Sequence, residues 1–335
     1  MAAGTSPNKP GDKVDEDAHR IAFLDRGTIG PGVELRRPTF DHQWTDYERT
    51  DPDEVIARLQ GVHIAITNKV PIRSETLAHL SDLRFVAVAA TGTDVIDLAA
   101  CREREIRVSN IQGYAATTVA EHTFAVILGL RRNLFQYRNE VIDGAWQDAQ
   151  QYCYFNRPVH DLAGATLGLV GTGAIATAVG QLGEAFGMRV IYHSLSGRTI
   201  ADKELVSLNE LFGTADIISL HCPLSEASRS LVGRLRFEQM KPDALLVNTA
   251  RGEIVDLEDL QVAIDGNLIG GAAIDVAAVE PPPLDSPLMK LASHPNFLLT
   301  PHTAWASVEA MQVLADQLID NLEAFVSGSP EHLVN

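Results

Sequence analysis

The sequence predicts an α/β protein built on doubly wound parallel sheets, and two observations carry that prediction. Short runs rich in Val, Ile and Ala, apolar nearly throughout, alternate with helical patterns from about Ile21 almost to the end. Such runs belong to strands covered on both faces, hence to parallel sheets with helices on either side. Nearly every run also ends in a small or polar cluster: Thr67 and Asn68, Thr91 and Gly92, Gly171 to Gly173, Ser194, Cys222 and Pro223, Thr249 to Arg251, Pro301 and His302. In open α/β sheets, ligands bind beyond the carboxyl ends of the strands, where strand order reverses. The chemistry is therefore expected at those clusters.

Taken in order, residues 1–20 are polar with Gly and Pro and read as a mobile tail. Strands are expected at 21–24, 62–66, 85–90, 166–170, 190–192, 217–220, 244–247, 271–276 and 297–299. Between them, 121–133 is a strongly apolar, central helix, and a helix opens at Ala174. Ser207 to Glu210 form a capping box at the start of a short helix. Residues 308–326 are long and amphipathic. The segment 143–162 fits neither period. Its aromatics would be costly on a bare monomer surface, so it is expected to wrap a partner subunit.

The 335 residues suggest two domains. With 44 acidic residues against 27 Lys and Arg, the net charge is −17, which argues against nucleic acid or an anionic membrane as a partner. A small anionic substrate stays open, because a local basic pocket can coexist with an acidic surface. Three cysteines are too few and too scattered for a disulfide framework or zinc cluster, and no His/Cys/Asp spacing suggests a metal site. No apolar run reaches membrane-spanning length. The start lacks a signal-peptide layout, so the cytoplasm is the expected compartment.

The stretch Thr166-Leu-Gly-Leu-Val-Gly171-Thr-Gly173-Ala-Ile-Ala176 is a strand, a G-x-G-x-x-A turn and a helix start. Gly171 would make the tight turn, Gly173 would let the backbone approach a pyrophosphate, and Ala176 would allow close helix–strand packing. The next strand ends in Tyr192-His-Ser194-Leu-Ser196-Gly-Arg198. An NAD-preferring site usually places Asp or Glu there for the ribose 2′-OH. Here Ser194, Ser196 and Arg198 suit a 2′-phosphate instead, and NADP is expected to serve at least as well as NAD.

Three charged residues follow at strand ends: Arg251, Glu280 and His302. Hydride transfer to a 2-keto acid needs a cation for the carboxylate and carbonyl, and an acid for the new alkoxide. Arginine suits the first task through its planar fork. Histidine suits the second, and a carboxylate on its far nitrogen fixes the tautomer. Singly, each has a plainer reading. Glu280 before three prolines reads as a solvated loop acid and His302 as a helix cap, whereas Arg251 between Ala250 and Gly252 is harder to dismiss.

Together with Ala90-Thr-Gly-Thr-Asp94, Val119-Ala-Glu-His-Thr123, His221-Cys-Pro-Leu224, Val247-Asn-Thr-Ala-Arg-Gly252, Ala273-Ile-Asp-Val276 and Thr300-Pro-His302, the chain resembles the D-2-hydroxyacid dehydrogenase family from about Ile21 onward. The resemblance implies a catalytic set of Arg251, Glu280 and His302, and substrate contacts from Asn68, Thr91, Gly92, Arg251, His302 and Trp305. It assigns Asp275 to the nicotinamide carboxamide. On the same footing, cofactor contacts are expected from Thr118, Gly171, Thr172, Gly173, Ala174, Ile175, Ser194, Ser196, Arg198, Cys222, Pro223, Thr249, Ala250, Arg251, His302 and Ala304. It further implies a homodimer joined through 143–162, with the helix after Thr118 crossing between domains. The expected architecture is a discontinuous, flavodoxin-like substrate domain (21–115 and 301–335) into which a Rossmann-like cofactor domain (116–300) is inserted.

Within the family, residues 300–307 are most similar to glycerate dehydrogenases, which reduce hydroxypyruvate and often glyoxylate. Two departures stand out: Ala90 and Thr91 replace the commonest Gly and Val of the carboxylate loop, and no acid stands at Ser194. The resemblance leaves open another acid, such as phosphoglycerate or a larger apolar 2-keto acid; formate fits less well, because formate dehydrogenases lack the Glu partner of the His. It also leaves open a dinucleotide-sensing regulator on the same fold. His193, His221 and His294 read as structural or solvated, His122 as support for its helix, and Cys222 as packing.

Overall fold

The computed structural model describes residues 18–335. They form two compact units: one runs to Tyr114 and resumes at Val308–Asn335, and the other is Ala115–Ser307. Residues 1–17, most of the expected tail, lie outside the described residues. His19 and Arg20 belong to the first strand rather than to a tail.

The first unit contains β1 (His19–Phe23), β2 (His42–Asp46), β3 (Ile64–Thr67), β4 (Phe85–Val88) and β5 (Arg107–Ser109). All are parallel, in the order β2-β1-β3-β4-β5, the flavodoxin-like order. Strand order reverses between β1 and β3. Strands β3 and β4 are buried at every residue, as their unbroken apolar runs require. Strand β2 is a polar edge, His-Gln-Trp-Thr-Asp, and β5 has three residues; neither meets the apolar-run criterion. The helix Val308–Val326 buries Ala310, Met311, Leu314, Leu318 and Leu322, an i, i+4 stripe. Phe325 stacks on Phe85 with ring centroids 4.3 Å apart.

The second unit contains β6 (Thr166–Val170), β7 (Arg189–His193), β8 (Glu204–Leu205), β9 (Ile217–Leu220), β10 (Leu245–Asn248), β11 (Gly271–Ile274) and β12 (Phe297–Leu299). All are parallel, in the order β12-β11-β10-β9-β6-β7-β8. This extends the dinucleotide-binding order by one strand, and it reverses between β6 and β9. The apolar helix begins earlier than expected, at Ala116, and runs to Arg131, because Thr117 and Thr118 disguise its first turn. Its Ala120, Phe124, Ile127 and Leu130 share a core with Leu167, Leu169 and Val190. Ser207 Oγ accepts from the Glu210 N–H at 3.2 Å, one half of the expected capping box.

Residues 301–307 belong to the second unit and not, as expected, to the substrate domain. The physical reason is Asp275, whose carboxylate accepts from the N–H groups of Thr303 and Ala304, each at 3.0 Å. Residues 143–162 hold one short helix, Ala145–Ala149. Tyr152 and Phe155 there are 94% and 88% exposed. Among the described residues, no helix is long and apolar enough to cross a membrane.

Candidate active site

In the second unit the glycine turn stands at the switch point between β6 and β9. Gly171 has φ +128°, and a Cβ there would fall 2.4 Å from the His221 carbonyl oxygen, so only glycine fits. Gly173 differs: its φ is −84°, and a Cβ on it would meet nothing within 4 Å. Neither strain nor packing within the described residues demands glycine at 173. The open space in front of the helix Ala174–Ala185 is what a closely approaching pyrophosphate needs. No side chain caps that helix start, so its first-turn N–H groups suit an anion. Thr172 and Ile175 are half-buried and Ala174 exposed beside it, whereas Ala176 is buried.

The tips of β7 and β10 carry buried hydroxyls, Ser194 Oγ and Thr249 Oγ1, with no partner among the described residues. Buried polar atoms are nearly always paired, so both fit a bound dinucleotide better than an empty site. Ser196 and Arg198 are exposed, and Arg198 pairs with no carboxylate among the described residues. Thr118 Oγ1 lies 3.4 Å from the Ala304 carbonyl oxygen, which joins two expected contact residues. Cys222 is buried in the core with Leu220 and Leu246, its thiol pushed up to about 11 by burial. Pro223 accepts from Ser228 Oγ at 2.7 Å.

At the tip of β10, Asn248 is fully buried. It receives the Ala250 N–H at 3.0 Å and donates to the Arg251 carbonyl at 2.8 Å. It thereby sets the turn that presents Arg251, a role its place in the motif did not reveal. Arg251 Nη1 donates to the Ala250 carbonyl at 2.8 Å.

Glu280 and His302 meet through a 2.6 Å bond between Oε2 and Nδ1. Glu280 Oε1 also accepts the Ala277 N–H at 2.8 Å, which fixes the carboxylate. His302 has φ +54°, a left-handed conformation costing a non-glycine residue about 1–2 kcal/mol. It is held there by N–H donation to the Asp275 and Thr300 carbonyls at 2.8 and 3.0 Å. Strain of this kind gathers where surrounding structure fixes a functional geometry.

Asp275, 3% exposed, organises this loop from below. Besides the two N–H groups, it receives the Thr300 hydroxyl at 2.5 Å, and Thr300 in turn receives His122 Nε2–H at 3.2 Å. Most of its acceptor capacity is thus committed within the protein. Trp305 is half-buried in the same loop. A cavity of about 530 Å³ beside the pair is lined by Glu280, His302, Pro281, Leu288, Met289 and Leu299 among others. His221 is neutral, its imidazole pushed down to about 3 by burial and its Nε2 2.8 Å from Ser219 Oγ. Among the described residues, no three His, Cys, Asp or Glu side chains are grouped to hold a metal ion.

In the first unit, Asn68 follows β3 and is 4% exposed; its side-chain amide bonds to nothing among the described residues. Thr91 Oγ1 donates to the Ile111 carbonyl at 2.8 Å, and Asn110 Nδ2 donates to the Thr91 carbonyl at 2.7 Å. The N–H groups of Thr91 and Gly92 donate to no group among the described residues, which leaves them available to a carboxylate. Sequence reading missed Asp25, whose carboxylate receives the N–H groups of residues 68–70. A lone acid ending an apolar strand was its only signal.

The family model described as "D-isomer specific 2-hydroxyacid dehydrogenase, NAD binding domain" matches residues 124–304. The chain is 44% identical over 316 residues to a glycerate dehydrogenase of Methylorubrum extorquens, covering 94% of this chain and 98% of that one. It is 32% identical over 323 residues to a hydroxypyruvate reductase of Blautia hydrogenotrophica, covering 94% and 99%. A solved acyclic imino acid reductase in complex with NADPH and D-Arg superposes with a TM-score of 0.81 at 28% identity, covering 94% and 100%. The chain belongs to the D-isomer specific 2-hydroxyacid dehydrogenase family and is an oxidoreductase that uses a nicotinamide dinucleotide.

Proposed function

We propose that the protein reduces small 2-keto acids, hydroxypyruvate and glyoxylate first, to D-glycerate and glycolate. The observation that carries this reading is the Glu280–His302 pair, 2.6 Å apart. It ties up Nδ1 and leaves Nε2 with no partner among the described residues, so that nitrogen is available for a proton in transit. When bound, a nicotinamide dinucleotide would supply hydride chemistry at substrate C2. The His302 imidazolium gives its Nε2 proton to the substrate oxygen during reduction; Glu280 accepts Nδ1–H, steadying the charge before transfer and holding the neutral Nδ1–H tautomer after it. Arg251 orients the carboxylate and polarises the carbonyl with its fork. Asn68 and the N–H groups of Thr91 and Gly92 add neutral donors for the substrate. The names of the 44% and 32% identical relatives favour hydroxypyruvate over larger acids.

For the cofactor, the partnerless Ser194 Oγ, with Ser196 and Arg198 beyond it, favours NADP at least as strongly as NAD. Measuring kcat/KM for NADPH and NADH on a panel of 2-keto acids tests both assignments. A strong NADH preference would contradict the first, and a preference for a large apolar acid the second.

The chain acts as a homodimer joined through 143–162. Tyr152 and Phe155 there, with Leu134 and Ile142 just before, are 94%, 88%, 54% and 65% exposed, an apolar surface that association would cover. Elution of the purified chain as a monomer would contradict this. The three cysteines are free thiols, which accords with a reducing cytoplasm.

A further inference from the structure

In the first unit, strand order reverses between β1 and β3, where open α/β sheets usually admit a ligand. Here the chain's own carboxylate occupies the place. Asp25, just after β1, is 3% exposed. Its Oδ1 accepts the Asn68 N–H at 2.9 Å, and its Oδ2 accepts those of Lys69 at 2.6 Å and Val70 at 3.2 Å. Successive N–H groups aimed at one point make an anion-binding nest. Thr67 Oγ1 closes the same turn by donating to the Val70 carbonyl at 2.9 Å. The backbone of Asn68 is therefore fixed on both flanks, while its side-chain amide stays uncommitted.

We propose that Asp25 is a positioning residue for the substrate, holding the 68–70 turn so that the Asn68 amide points at the keto acid. This rests on the reading of Asn68 as a substrate contact.

Stability alone gives a weaker account of a buried acid here. Burial raises the Asp25 carboxyl above its ordinary value of 3.8, outweighing the three amides and the charge of Lys69. A carboxyl raised in the folded state stabilises the fold fully only below its ordinary value. That contribution is lost as pH rises through the raised value. Burial thus works against the carboxylate form, and what Asp25 supplies to the fold is the order of the turn.

Asp25→Asn keeps the shape and halves the acceptors. It should raise KM for hydroxypyruvate about 5-fold, the scale of one lost hydrogen bond. The value of kcat and the Kd for the dinucleotide should stay near those of the parent. Asn68→Ala should raise KM similarly, and Asp25→Asn should add nothing in that background. If Asn68→Ala leaves KM unchanged, the reading of Asn68 fails and this inference with it. If Asn68→Ala raises KM and Asp25→Asn does not, or if the two effects add in full, the inference alone fails. Should Asp25→Asn not fold, amide exchange in the parent enzyme decides: slow exchange of the 68–70 amides is expected, and fast exchange overturns the proposal.

Discussion

The strand tips of the first unit present a neutral amide and peptide N–H groups, those of Asn68, Thr91 and Gly92. The tips of the second present a guanidinium, a carboxylate and an imidazole, those of Arg251, Glu280 and His302. Each unit steadies its loop in the same way, with one aspartate beyond a strand end that is 3% exposed: Asp25 gathers the N–H groups of 68–70, and Asp275 those of 303 and 304. The anchoring device is shared and the groups displayed are not. Neutral donors bind a carboxylate without changing protonation state, whereas an imidazole paired with a carboxylate can pass a proton. Substitutions of the neutral donors in the first unit should therefore act on KM, and those of the charged set in the second on kcat.

The sharpest way to break that division is His302→Ala. Loss of a positioned general acid lowers kcat by about 10²–10⁴-fold, while the dinucleotide Kd should hold; an effect confined to KM would collapse the comparison. Next comes Arg251→Lys, which keeps the charge and loses the fork. We expect kcat/KM to fall by about 10²–10³-fold, and parent-like turnover would show that a point charge suffices. Ser194→Asp sharpens the comparison within the second unit. It places the missing acid at the β7 tip and should move preference from NADPH toward NADH by on the order of 10-fold, with kcat on the better cofactor retained. The smallest effect is expected in the first unit, where Asn68→Ala should change KM about 5-fold. A larger loss of kcat there would give Asn68 a part in the chemistry.

How much of this was legible in the sequence follows from what each feature is made of. Strands β3, β4, β9, β10 and β11 are buried throughout, so their apolar runs announced them. The G-x-G-x-x-A turn and the Arg251, Glu280 and His302 motifs were readable because residue identity marks them: Gly171 takes a conformation only glycine fits, and Glu280 and His302 pair by their side chains. Strand β2 hid because an edge needs no apolar run, and β8 because it has two residues. The anchoring of the 68–70 turn hid for a different reason: its donors are backbone N–H groups, which have no residue signature, and Asp25 lies 43–45 positions away. The Ala273-Ile-Asp-Val276 motif was legible, but the grip of Asp275 on Thr300, Thr303 and Ala304 was not, and that grip accompanies a unit boundary at 307.

Reduction of a small 2-keto acid with His302 as the proton donor is open to a single assay. Purified protein is given NADPH and hydroxypyruvate, and dinucleotide oxidation is followed while the enantiomer of the product is determined, in parent and His302→Ala chains. Steady oxidation yielding D-glycerate, nearly abolished by the substitution, is expected. No oxidation by the parent, an L-product, or undiminished turnover in His302→Ala would contradict it.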